Sequence, residues 1–213
     1  KSDSGKVVGM RTSIWRVIMS FSTRYNKQQR NVLSHLRGGG MELNDLDLHS
    51  SQLHGDLLPL LLGRVFHVTW RNVCEQILAD GEIRTNTEGQ LPSVFGSTNS
   101  FFRNRGCISF FDYRATCPEQ IEDAIGKCSP YNLPSADPKL LHAPNIAFLF
   151  LSWAAYDRLI PWTRWEEEKA YSEKVVLYVE AGYPGPVPIT LIEKILRVNI
   201  DYPRDSIAAI LDR

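Results

Sequence analysis

The sequence predicts a mixed α+β fold. Apolar runs of strand length occur at 64–68, 107–111, 146–151, 174–179 and 195–200, while helical periodicity between them is brief. Strands and full-length helices do not alternate in a regular rhythm, which a doubly wound parallel sheet requires. With 213 residues, 43% of them hydrophobic and 10% aromatic, the chain can bury a full core.

Charge divides the chain before any element is assigned. The formal net charge is zero, yet residues 1–40 carry eight Lys/Arg against the single acid Asp3, leaving 16 basic and 23 acidic side chains in the rest. A basic arm of about +7 therefore precedes an acidic body of about −7. Gly38-Gly39-Gly40 punctuates the two, which sets a boundary between an arm at 1–40 and a body at 41–213. Within the arm, Ile14, Trp15, Val17, Ile18 and Phe21, then Val32, Leu33 and Leu36, mark one or two short helices whose apolar faces need a partner.

The body opens with polar, Leu-bearing sequence in which Pro59 opposes an uninterrupted helix over 57–62. Residues 64–68 form the first strand. Thr69 is placed to cap a helix with Trp70, Val73, Ile77 and Leu78 on one face, and Gly81 supplies its left-handed stop. Residues 86–105 read as loop, and 107–111 as a second strand. Thr116 with Glu119 three residues later forms a capping box for a helix ending at Gly126. Four prolines in 128–145 mark a surface excursion, after which the wholly apolar run 146–151 reads as a central strand. The acidic cluster Glu166-Glu167-Glu168 leads to a strand at 174–179, then a proline-rich turn at 184–188, a short helix near Leu191 and a last strand at 195–200.

Three segments carry a chemical signal. The first is Phe66-His67-Val68-Thr69 with Asn72, Ile77, Leu78, Gly81 and Ile83; the second is Arg103-x-Arg105-Gly106-x-Ile108-Ser109-Phe110-Phe111; the third is an acid entering a late apolar strand, Glu173. In type, spacing and order these resemble the ADP-ribosyltransferase superfamily over roughly residues 64–200, most nearly the DarT-type toxins that modify nucleic acid and more distantly the RNA 2′-phosphotransferases.

The resemblance implies a split fold of two small β-sheets with peripheral helices, gripping NAD as a substrate without a metal. His67 would hydrogen-bond the adenosine ribose, main-chain groups at Val68 beside Thr69 would take the nicotinamide amide, and Asn72 would contact ribose or phosphates. The open start of the following helix favours a pyrophosphate. Ser109, Phe110 and Tyr113 would wall the nicotinamide pocket, with Arg103 or Arg105 pairing the pyrophosphate.

A carboxylate completes the chemistry, because loss of nicotinamide builds an oxocarbenium-like centre that a fixed negative charge stabilises. The same group can hold the ribose 2′-hydroxyl or take the acceptor's proton. Glu173, entering the 174–179 strand, is the first candidate and Glu168 the second, since Glu166-x-Glu168 also imitates the paired glutamates of some arginine-modifying members. The acceptor is left open between DNA, RNA and protein. The basic arm favours nucleic acid and the acidic body opposes it. A toxin role would bring a neutralising antitoxin or immunity protein. Two alternatives stay open: a catalytically degenerate nucleotide- or partner-binding module of the same fold, and an RNA 2′-phosphotransferase-like enzyme, for which Arg84, Arg103 and Arg105 are the phosphate-binding candidates.

Other chemistries have no motif behind them. Cys74, Cys107, Cys117 and Cys128 form no Cys-x-x-Cys pair and read as reduced, mostly buried thiols, while His49, His54 and His142 lack ligand spacing. Gly-x-Gly-x-x-Gly, Walker and Gly-x-Ser-x-Gly signatures do not occur. No apolar run reaches the ~18 residues of a membrane span, so a cytoplasmic location is expected.

Overall fold

The computed structural model describes residues 41–49, 52–91, 99–114, 117–128 and 145–201. The basic arm at 1–40, the Thr116 half of the capping box and most of the proline-bearing excursion, 129–144, lie outside the described residues.

In chain order the strands are β1 Glu42–His49, β2 Val65–Trp70, β3 Glu82–Ile83, β4 Cys107–Asp112, β5 Asn145–Leu151, β6 Ile160–Pro161, β7 Glu180–Pro184, β8 Val187–Pro188 and β9 Ile192–Asp201. The helices are α1 Leu58–Leu61, α2 Arg71–Asp80, α3 Phe101–Asn104, α4 Pro118–Cys128 and α5 Thr163–Glu167, with a π-helical turn at Leu53–Leu57 and 3-10 turns at Trp153–Arg158 and Ile189–Leu191. The fold is thus mixed α+β. Its strands divide unequally, into a seven-stranded sheet of order β1-β9-β5-β2-β4-β7-β6 and a two-stranded β3-β8 ribbon. β1 and β9 run parallel, and the other pairs are antiparallel.

The apolar strand β5 sits inside the sheet between β9 and β2, as its lack of a polar face requires. Its alternate side chains feed two cores. Phe148 and Phe150 join Phe66, Val68, Leu196 and Val198 on one face, closed by Ile121, Ala124 and Ile125 of α4. Ala147 and Leu149 join Val65, Phe110, Tyr183 and Ile195 on the other, closed by Cys74 and Ile77 of α2. Phe66 anchors the first core, edge-on to Tyr113 at 5.0 Å and to Phe148 at 5.6 Å. A fully buried ring of this kind contributes about 1.5–3 kcal/mol.

Several local expectations change. Thr69 does not cap α2: it is buried within β2 opposite Ala147, and the extended Trp70 occupies the cap without a side-chain bond. Gly81 ends α2 at φ 76°, its N–H on the Ile77 carbonyl at 2.9 Å, as the sequence predicts. Pro59 starts α1 rather than breaking a helix, because a missing N–H costs nothing in the first turn. The 86–105 stretch contains α3, and α4 continues past Gly126 to Cys128.

The strand expected at 174–179 is absent. Lys174 makes one parallel bridge to Ser100, and Tyr178 takes φ 70°, a left-handed conformation incompatible with an extended run. Pairing with β4 begins at Glu180 instead.

Candidate functional site

The seven-stranded ladder narrows at its middle. β2 and β4 share only the pairs Val65↔Asp112 and Phe66↔Phe111, although β2 continues to Trp70 against β5 and β4 is paired with β7 along Cys107–Phe111. Where the next rungs would lie, the His67 imidazole bridges to β4: its Nδ1 donates to the Ser109 carbonyl at 2.9 Å. A carbonyl can only accept, so Nδ1 carries the proton. Burial holds His67 below the ordinary histidine range, partly offset by the Ser109 carbonyl. The neutral ring therefore presents the Nε2 lone pair as an acceptor, with the Phe110 ring 5.8 Å away.

Glu180 meets Ser109 from the opposite strand. It pairs with Phe111 at the start of β7, so Ser109, two residues before Phe111, is its diagonal neighbour on the same face. The Val176 N–H donates to the carboxylate Oε2 at 2.6 Å, and the Ser109 side chain stands on the same face. Glu180 is 7% exposed, and burial raises its pKa above the ordinary glutamate value against the lowering effect of the Val176 N–H and the Ser109 side chain. Ser109 thus holds an imidazole with its carbonyl and lies diagonally beside a buried carboxyl, at the place where two strands stop pairing.

Gly182 lets the Phe102 ring approach this face of β7. It lies opposite Ser109 in the β4–β7 register, and the Phe102 ring packs directly on its Cα. A methyl there would sit 2.7 Å from ring atom Cε1.

The two carboxylates favoured by the sequence lie elsewhere. Arg105 gathers both, with Nη1 on Glu173 at 2.7 Å and Nε on Glu168 at 2.8 Å, while its guanidinium lies over the Phe101 ring. Asn104 also donates to Glu173 at 2.7 Å, and these partners hold the Glu173 carboxyl below its usual value, the Asn104 bond first. Arg103 is turned the other way, its Nε on the Asn86 carbonyl at 2.7 Å. Val68 and Thr69 are buried against β5, Phe110 and Tyr113 are buried in the two cores, and Asn72 is exposed on α2 with Oδ1 accepting the Val73 N–H. The structure therefore brings together His67, Ser109 and Phe110, and sets Glu168, Glu173 and Arg105 in a separate network.

The motif spacing does not single out Glu180, although the sequence carries a signal for it. It is the one acid between Lys174 and Ile192, set between Val179 and Ala181. A carboxylate alone in an apolar run is the informative kind of exception.

No family model, curated protein or solved structure matches this chain. Among the described residues, no three His, Cys, Asp or Glu side chains cluster to hold a metal, and no helix is long and apolar enough to cross a membrane.

Proposed function

We propose that the body of this chain is an NAD-consuming ADP-ribosyltransferase in which Glu180, rather than Glu173 or Glu168, is the catalytic carboxylate. One observation carries this: His67 bonds the Ser109 carbonyl where β2 and β4 part, and Glu180 stands diagonally across the β4–β7 pair from Ser109. That junction divides the sheet into a β1-β9-β5-β2 half and a β4-β7-β6 half, in keeping with a split fold that admits a dinucleotide between its halves.

In this scheme the His67 Nε2 accepts a ribose hydroxyl, and Glu180 faces the ribose bearing nicotinamide. The bond from ribose C1′ to the nicotinamide nitrogen breaks, and its electron pair leaves with nicotinamide. Glu180 stabilises the positive charge that develops on the sugar. The acceptor then bonds to C1′ and gives its proton to Glu180, whose elevated pKa suits a general base. Glu168 and Glu173 act as structural ion-pair partners of Arg105.

Nicotinamide release from NAD tests the assignment. Glu180→Gln is expected to lose about 100-fold or more, while Glu173→Gln and Glu168→Gln retain most turnover. Full turnover by Glu180→Gln overturns it. Incubation with labelled NAD and separate DNA, RNA and protein pools then assigns the acceptor.

A further inference from the structure

The turn that precedes β7 folds back on the side chain it delivers. The Glu180 N–H donates to the Val176 carbonyl at 3.0 Å, and the Val176 N–H donates to the Glu180 carboxylate at 2.6 Å. Both main-chain polar groups of Val176 are therefore spent on one residue. The turn runs through a left-handed residue, Tyr178 at φ 70°, a conformation that side-chain-bearing residues rarely adopt.

Something outside the turn must hold it. The Tyr178 ring meets the Trp162 ring edge-to-face, with centroids 5.1 Å apart and planes at 68°. Trp162 follows Pro161, which pairs with Ala181 across β6 and β7. The strand that flanks Glu180 thus carries the ring that supports the turn beside it.

We infer that Tyr178 is a positioning residue for the Glu180 carboxylate: its left-handed backbone, held by Trp162, aims the Val176 N–H at Oε2. This rests on the proposal that Glu180 is the catalytic group. The hydrogen bond to the carboxylate among the described residues is that of the Val176 N–H, the Ser109 side chain shares its face, and the charges Asp112 and Arg114 at the end of β4 pair with each other.

The test reads the carboxyl itself. In the full chain labelled at glutamate Cδ, with the Glu180 signal assigned by its loss in Glu180→Gln, NMR titration gives the Glu180 midpoint without any need for turnover. A β-branched residue resists the left-handed region. Tyr178→Val is therefore expected to free the Val176 N–H and raise the midpoint by about one pH unit. Tyr178→Phe, which keeps ring and backbone, should match the parent. In nicotinamide release, Tyr178→Val should lower kcat more than it changes KM and move the acid limb of the profile upward. Should Tyr178→Val fail to fold, Trp162→Leu removes only the support, and an upward shift is again expected. An unmoved midpoint in the folded variant overturns the inference whatever the turnover. A moved midpoint in a protein whose Glu180→Gln form still turns over NAD sustains the inference about the turn and overturns the catalytic assignment.

Discussion

Replacing Gly182 with alanine tests how closely the Phe102 ring packs on β7, two residues beyond Glu180. The added methyl would stand 2.7 Å from Phe102 Cε1 and 2.9 Å from its Cγ, well inside van der Waals contact. Phe102 has little room to retreat, since it is fully buried, edge-on to Phe101 at 5.0 Å, and grouped with Cys107, Ile160, Trp165 and Val175. Overpacking of this kind costs about 1–3 kcal/mol. For a domain of this size, that corresponds to a fall in Tm of roughly 3–10 °C. Thermal melting of Gly182→Ala, Phe102→Leu and the double variant forms a cycle. The double variant should melt above the sum of the two single losses, because the smaller side chain vacates the space the methyl needs. A Gly182→Ala protein melting within a degree of the parent would refute the close approach, as would strict additivity.

Two further outcomes follow from the charged groups. Burial raises the folded-state pKa of Glu180, so the folded chain holds its proton more tightly than the unfolded one, and stability falls as pH rises from the ordinary glutamate value through the elevated one. Glu180→Gln should remove that loss and melt above the parent at neutral pH; a lower Tm there counts against a strained, buried carboxyl. Glu173 has the opposite sign, its folded pKa depressed by Asn104 and Arg105, so its contribution is present above the ordinary value and is lost as acid carries the pH down through the depressed one. Arg105→Met should weaken that acid dependence and loosen the 165–174 segment, seen as faster amide exchange there. Unchanged exchange would mean that Asn99, Asn104 and Trp165, which also bond this segment, hold it without Arg105.

The sequence made the local parts of this fold legible and left the long-range ones hidden. The wholly apolar run in β5, the Gly81 stop and the His67 strand were readable because each is decided by its own residues. β1 was not: Glu42, Asp45 and Asp47 mask its alternation, and its strand character is completed by Lys194, Arg197 and Asn199, which answer those acids about 150 residues away on β9. The start of β7 is hidden for a related reason. Apolar residues at 175–179 look like a strand that Glu173 would enter, and only the left-handed Tyr178 shifts the start of pairing by several residues to Glu180. Ser109 reads from the sequence as a wall residue. That it bonds an imidazole and stands diagonally from a buried acid depends on strand register, which no spacing in the sequence encodes.

The parallel β1–β9 pair has a consequence for how the chain assembles. β9 is the last described strand in sequence, yet it covers the edge of β5, the most apolar strand of the sheet, as well as receiving β1. Until residues 192–201 dock, Ile146 to Leu151 offers an unsatisfied ladder to any neighbouring molecule, the geometry that seeds aggregation. Docking of β9 is thus a long-range step, of the kind whose loop-closure cost slows folding.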